Sequence, residues 1–397
     1  MSEAKPHAPR GLLAMVALLY AAEGLPAGIF HELIQTWLIQ EHKLSESALG
    51  IVSLLALPWT LKALWSPLVD RVGTAGRWIG GALLVVGCTT MLLPWMPMGS
   101  AVWIVIGIMT IASATADVAI DGYTATVVPA RLHGRVNGIR VAAYRGSMLL
   151  AGGGAIALAG TLPWWSLFVG VGLFAALLAI PAARVTPVAR DPQPTRAWLR
   201  DLWAWLSEPG SLALFAFVLL FKAGDAAMAP MVKPFWLRAA NMSLEELGLV
   251  SVTLGAGLTV AGAVIGGELA TRWGLFRALW VLGALQAISN LGYMGAAMMT
   301  TRWTVYGASM VESFCSGLGV AAFLAFLMRI CEAKQAATRF SLLVALGMLS
   351  RNIISVPSGF MVEAWGYAAY FGFTFLLALP AFALLPAIRK RVAITED

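Results

Sequence analysis

The chain has 397 residues, of which 59% are hydrophobic and only 12% charged, where soluble domains carry about 25% charged residues. Mean hydropathy is +0.80, and no charge interrupts residues 78–116 or 146–183. Each of these stretches is long enough for two bilayer crossings at ~20 residues apiece, which argues against a soluble enzyme. A transmembrane barrel is excluded as well, because its strands alternate polar and apolar residues in segments of about 10. The net charge of +7 reads as loop charge of a membrane protein rather than as a nucleic-acid surface.

In chain order, Lys5 and Arg10 precede an apolar run in the manner of a signal peptide. The run continues past Glu23 without a small-residue cleavage site, so it is read as a retained first helix. Twelve spans are expected, near 11–34, 47–69, 78–97, 101–129, 136–160, 163–184, 211–237, 246–269, 276–299, 303–330, 338–362 and 366–388. The most polar segment, 185–209, carries four prolines and splits the chain into bundles at 1–184 and 211–397, with a linker at 185–210. Trp198 to Leu206 within it has the pattern of a short amphipathic helix at the membrane surface.

Basic residues orient the chain. With both termini cytoplasmic, the loops on that side carry 19 Lys and Arg, Arg140 among them, and the opposite side carries 3. Lys62, Arg145, Lys222, Lys233 and Arg351 fall inside spans. This bias predicts N- and C-termini, and the linker, on the cytoplasmic side.

The halves echo each other. "LIQTWL" at 33–38 matches "VKPFWL" at 232–237, "LGIVSLL" at 49–55 matches "LGLVSVT" at 247–253, and "LVDRVG" at 68–73 matches "LATRWG" at 269–274. A repeat in which both copies run the same way predicts two six-helix bundles related by pseudo-two-fold symmetry, with a substrate site near the midplane. The fold class is therefore an all-α membrane protein of 12 transmembrane helices.

The turn "SPLVDRVGTAGR" at 66–77 resembles the conserved loop of the major facilitator superfamily, with Ser66 where glycine is usual and extra residues before Arg77. The resemblance makes Asp70 and Arg71 gating residues. Asp70 would cap or pair across the cytoplasmic gate, and Arg71 would grip lipid phosphate or helix C-termini. The segments "EGLPAGI", "LPWTLKALWSPLVDR", "ADVAIDGY", "AAYRGSML", "LLFKAGDA", "ALQAISNLGY" and "GLGVAAFLAFLM" are similar to the anhydromuropeptide permease branch, which includes acetyl-CoA transporters and siderophore importers. Ala116 replaces the glutamine often found before the first aspartate of the fourth span. That resemblance implies a proton-coupled importer in the bacterial inner membrane, and it makes the aspartates of "ADVAIDGY" functionally important.

Ionisable groups at membrane depth cost roughly 2.5–3.5 kcal/mol each on insertion scales, so each asks for a reason. Asp117 and Asp121 lie four apart on one helix face. Two close carboxylates repel, which suits the pair to holding and releasing a proton. Arg145, near the start of the fifth span, either neutralises one of these acids or grips a cargo carboxylate. Lys222 and Asp225 have intrahelical spacing. Lys222 falls opposite Glu23 in the repeat, so both are expected to line the central cavity. Gly24 and Pro26 are expected to loosen the helix beside Glu23.

The proton-coupling set is thus Asp117, Asp121, Glu23 and Asp225, and the substrate-binding set is Arg145, Lys222 and Arg351. Lys62 is as readily structural as functional. Glu32 and Lys233 are expected to snorkel, Glu312 and Arg351 to pair, Glu268 to pair at a gate, and Trp37 and Trp236 to mark the outer interface. His7, His31, His42 and His133 are scattered, and Cys88, Cys315 and Cys331 fit no zinc spacing, so no metal or cofactor is expected. No phosphate-binding loop and no nucleophile elbow occurs.

The expected partners are a small-molecule substrate, protons and the lipid bilayer, with no nucleic acid and a monomer as the working unit. The expected function is import of a polar anionic solute, an anhydromuropeptide, with a siderophore or another organic anion as the alternative.

Overall fold

The computed structural model describes residues 10–128, 133–185, 211–330 and 336–393. The linker, including Trp198 to Leu206, lies outside the described residues. The regular elements among those described are all helices, with no strand. Ten helices among the described residues are long and apolar enough to cross a membrane. The other two expected spans are also present. The second runs through Glu46–Arg71 in short pieces, and the eleventh begins as Ala336–Ser355.

Proline explains both interruptions. Pro58 has no N–H, and its ring crowds the carbonyl four residues back. The second span accordingly turns 3-10 over Ser53–Ala56, returns to α over Leu57–Leu61, and tightens again over Lys62–Leu64 before Pro67 starts Ser66–Arg71. In the eleventh span Pro357 follows the end of the first piece at Ser355, and a second piece starts at Ser358. Gly366, at φ 77, then separates it from the twelfth span. The first span behaves differently from expectation. It stays α-helical through Gly24 and Pro26, over Arg10–Gly28, and widens to a π-helix only at Ile29–Ile34.

The repeat is visible in backbone chemistry. Gly73 and Gly274, which close "LVDRVG" and "LATRWG", both have positive φ, 72 and 81, a conformation that costs a residue with a Cβ. Ahead of the second and eighth spans, Lys43 and Asn241 are both left-handed, at φ 46 and 52. Each is followed two residues later by a serine N-cap, Ser45 and Ser243. Ser243 completes a capping box with Glu246.

The chain forms two compact units, one from the described parts of Met1–His42 and Leu61–Gln193, the other from Lys43–Thr60 and the described part of Pro194–Asp397. In the first unit Leu19, Tyr20, Ile79, Leu83, Ile120 and Tyr123 share a buried core. Gly24 and Gly28 of the first span lie against the carbonyls of Tyr144 and Met148 on the fifth, an approach that leaves no room for a Cβ. In the second unit Phe217, Phe221, Phe323 and Phe326 form the centre of the core, with Phe221 and Phe323 stacked at 5.2 Å. Gly262 and Gly317 bring the eighth and tenth spans equally close, against the carbonyls of Phe314 and Thr259.

The sequence reading places the whole second span in residues 1–184, whereas its first part, Lys43–Thr60, groups with the second unit. The reason is local. Gly50 meets the carbonyl of Val356, and Gly359 meets the backbone of Glu46. Ser47 N–H donates to Glu363 Oε1 at 2.8 Å, Asn352 donates to Thr60 at 3.1 Å, and Arg238 ion-pairs Glu46 at 2.9 Å.

Candidate functional site

Four spans of the first unit converge on one charged network. The first span contributes Tyr20 and Glu23, about one turn apart, and the fourth span, Ser100–Val127, contributes Asp117 and Asp121 from one face. Lys62 enters from the 3-10 turn of the second span and Arg140 from the helix His133–Leu149 of the fifth. Lys62 Nζ lies 3.5 Å from Asp117 Oδ2 and 3.8 Å from Asp121 Oδ2. Arg140 Nη2 lies 3.1 Å from Asp121 Oδ1, which also accepts a 3.0 Å hydrogen bond from the Tyr20 hydroxyl. The Arg140 guanidinium covers the Tyr20 ring at 4.6 Å. Beside them Trp65 Nε1–H donates to Thr115 at 3.1 Å.

The acids are not equivalent. Asp121 has a side chain 36% exposed and takes both cations, whereas that of Asp117 is 8% exposed and shares only Lys62. Asp117 Oδ1 and Glu23 Oε2 are buried with no hydrogen-bond partner among the described residues. A buried polar atom without a partner is costly and marks a place where a proton, water or ligand group is accommodated.

The structure thus brings together Glu23, Asp117 and Asp121. It replaces Arg145 as their counter-ion with Arg140, and the Arg145 side chain is exposed. Five residues along an α-helix rotate the side chain by about 140°, so both arginines cannot face the same acids. Arg140 and Lys62 are the residues that sequence reasoning underrated. The available signal was that Arg140 falls within the expected span 136–160, where a charge needs a partner.

The second unit has a separate network. The seventh span breaks between Ser211–Phe221 and Ala223–Pro234, with Lys222 at the break. Lys222 Nζ is 2.9 Å from Asp225 Oδ2, as the spacing predicted. The same oxygen accepts Gln286 Nε2–H at 2.6 Å and the Ser316 hydroxyl at 3.3 Å. Glu312 lies one turn before Ser316 on the tenth span, Arg302–Ile330. Asn290, fully buried, packs beside Gly224, and both its amide atoms lack partners among the described residues. Arg351 has an exposed side chain. Asp70 and Arg71 close the helix Ser66–Arg71.

Other expectations are corrected. Trp37 and Trp236 are 2% and 0% exposed, so they pack the interior instead of marking an interface. Trp37 meets Phe168 edge-on and Trp236 stacks on Tyr306. Glu32 does not snorkel: its Oε2 is buried, and its Cβ and Cγ pack against Gly152. Glu268 pairs within its own helix with Arg272, at 2.6 Å.

Solved membrane transporters share this fold. A bacterial homolog of the human lysosomal transporter Spinster, inward-facing and unoccupied, superposes with a TM-score of 0.77 at 16% identity, covering 98% of both chains. The nucleoside transporter NupG gives 0.75 at 13% identity, over 94% of this chain and 98% of its own. A D-xylose-proton symporter gives 0.70 at 12% identity, over 94% and 96%. A sequence model of the Major Facilitator Superfamily matches residues 12–338. The anhydromuropeptide permease of Escherichia coli (strain K12) is 31% identical, over 96% of this chain and 81% of its own length. A putative transporter AmpG 4 of Rickettsia felis is 22% identical, over 95% and 96%. The chain belongs to the Major Facilitator Superfamily, in its anhydromuropeptide permease branch. It is a multi-pass membrane transporter, not an enzyme.

Proposed function

We propose that this transporter imports a polar anionic small molecule, an anhydromuropeptide, across the bacterial inner membrane together with protons. The reading rests on the 31% identity to the E. coli permease, which extends over 96% of the chain. The membrane-buried acids of the first unit supply the means of coupling. Glu23 has a buried oxygen without a partner and makes no ion pair among the described residues, so a proton can be taken up there, whereas Asp117 is held by Lys62. Asp121 and Asp225 are already matched by cations, and their role is to hold those cations in place. Arg145 and Arg351, both exposed residues, are the cations assigned to carboxylates of the cargo. Lys222 joins them only by leaving Asp225. Asp70 and Arg71 act at the cytoplasmic gate, and both termini are cytoplasmic.

Uptake into sealed vesicles containing the purified protein tests this reading. Labelled anhydromuropeptide is expected to accumulate unchanged when an inward proton gradient is imposed, and to stop when the gradient is collapsed. Accumulation of a ferric siderophore but no muropeptide would overturn the cargo. Muropeptide accumulation indifferent to the gradient would overturn the coupling. Cysteines placed at Ser2 and Ser45 in a cysteine-free background are expected to label from opposite sides, and equal labelling from outside would overturn the orientation.

A further inference from the structure

The charges of the first network do not balance. Glu23, Asp117 and Asp121 are three acids, and Lys62 and Arg140 are two bases. Among the described residues, the other ionisable group facing them is the Tyr20 phenol. The third span carries only Arg77, at its start, and the sixth span is followed by Arg184 at its end, so neither supplies a further charge within the membrane. Asp121 holds Arg140 at 3.1 Å and Lys62 at 3.8 Å. Asp117 holds Lys62 at 3.5 Å through one oxygen. Glu23 is 7% exposed and makes no ion pair among the described residues.

An uncompensated buried charge is far more costly than a neutral carboxyl group. The least costly state of three acids and two fixed cations therefore carries one proton. We propose that Lys62 sets the proton count of this network: by bridging Asp117 and Asp121 it keeps both as carboxylates and leaves Glu23 as the acid that takes up and gives off one proton. The inference deepens the proton-coupled reading and rests on it for its use in transport. Lys62 is a positioning residue, acting on Glu23 through the two aspartates.

Its setting suits the role. Lys62 occupies a 3-10 turn between Pro58 and Pro67, where the regular α-helical ladder is interrupted. Mid-helix 3-10 turns are often hinges. A small change in that turn moves Nζ between its two carboxylates, now 3.5 and 3.8 Å away. The acid that loses the cation then competes with Glu23 for the proton.

The test is an infrared titration of the full-length protein in lipid nanodiscs without cargo, reading the carbonyl band of protonated carboxyl groups. The wild-type protein is expected to show a band near neutral pH that Glu23→Gln removes. Lys62→Gln leaves three acids with one cation, so the carboxyl signal from this network should rise roughly twofold, and Lys62→Arg should restore the wild-type signal. The charge-balanced Lys62→Gln/Asp117→Asn variant should also return it to the wild-type level. An unchanged band in Glu23→Gln, or no increase in folded Lys62→Gln, would overturn the proposal.

If Lys62→Gln does not fold, Asp117→Asn decides. Two acids then face two cations, so the Glu23-dependent band should vanish, and its persistence would sink the idea. Because no cargo is present, a wild-type protein that fails to take up muropeptide counts against the transport reading and leaves the titration result standing.

Discussion

Arg140 reaches from the fifth span to Asp121 on the fourth, at 3.1 Å, five residues ahead of the arginine that spacing alone singles out. The contact is reinforced from the first span, because the Tyr20 hydroxyl binds the same carboxylate oxygen and the Tyr20 ring underlies the guanidinium. Three spans thus meet at one side chain, which makes Asp121 a structural junction as much as a chemical group.

Arg140→Ala is therefore expected to lower the thermal stability of the detergent-purified protein more than Arg145→Ala. Both Arg140 and Asp121 are more than a third exposed, so the lost pair is worth only about 1 kcal/mol. Its effect on uptake should be larger, because Asp121 is left with Lys62 alone and draws it from Asp117. Equal loss of stability in the two variants would show that Arg140 has no special partnership.

Glycine positions give a prediction of opposite signs. A Cβ on Gly24 meets the Tyr144 carbonyl, which is backbone and cannot step aside, whereas a Cβ on Gly146 meets nothing within 4 Å. Gly24→Ala should cost about 1–3 kcal/mol by overpacking the first and fifth spans. Gly146→Ala should be neutral or gain up to about 1 kcal/mol from helix propensity. Unfolding midpoints of the two variants check the difference. Equal midpoints would mean that the first and fifth spans do not approach as closely as described.

At Asp225, three donors from three spans share one oxygen. Asp225→Ala strands all of them, whereas Lys222→Ala strands one acceptor that keeps two donors. The aspartate variant should be the more destabilising. The double variant should fall short of the sum by roughly 0.5–3 kcal/mol, the usual coupling of groups in one network. Additive losses in a double-mutant cycle would deny the network.

The amino-acid sequence by itself determined the features that depend on short stretches of chain. Uninterrupted apolar runs specify spans because a bilayer offers the backbone no hydrogen-bond partners except its own. Helical periodicity put Asp117 and Asp121 on one face and Lys222 within reach of Asp225, whatever surrounds them. The repeated "LVDRVG" and "LATRWG" end in glycines because both turns need positive φ.

Tertiary structure alone decided which distant groups meet. Lys62 and Asp117 are 55 residues apart in sequence, and Tyr20 and Asp121 are 101 apart. No spacing rule links such pairs, so the choice of Arg140 over Arg145 waits on how the fifth helix is rotated. The interior placement of Trp37 and Trp236, and the grouping of Lys43–Thr60 with the second unit, have the same cause. Each follows from how the surfaces of helices fit together, and a fit is a property of two surfaces that a single stretch of sequence does not contain.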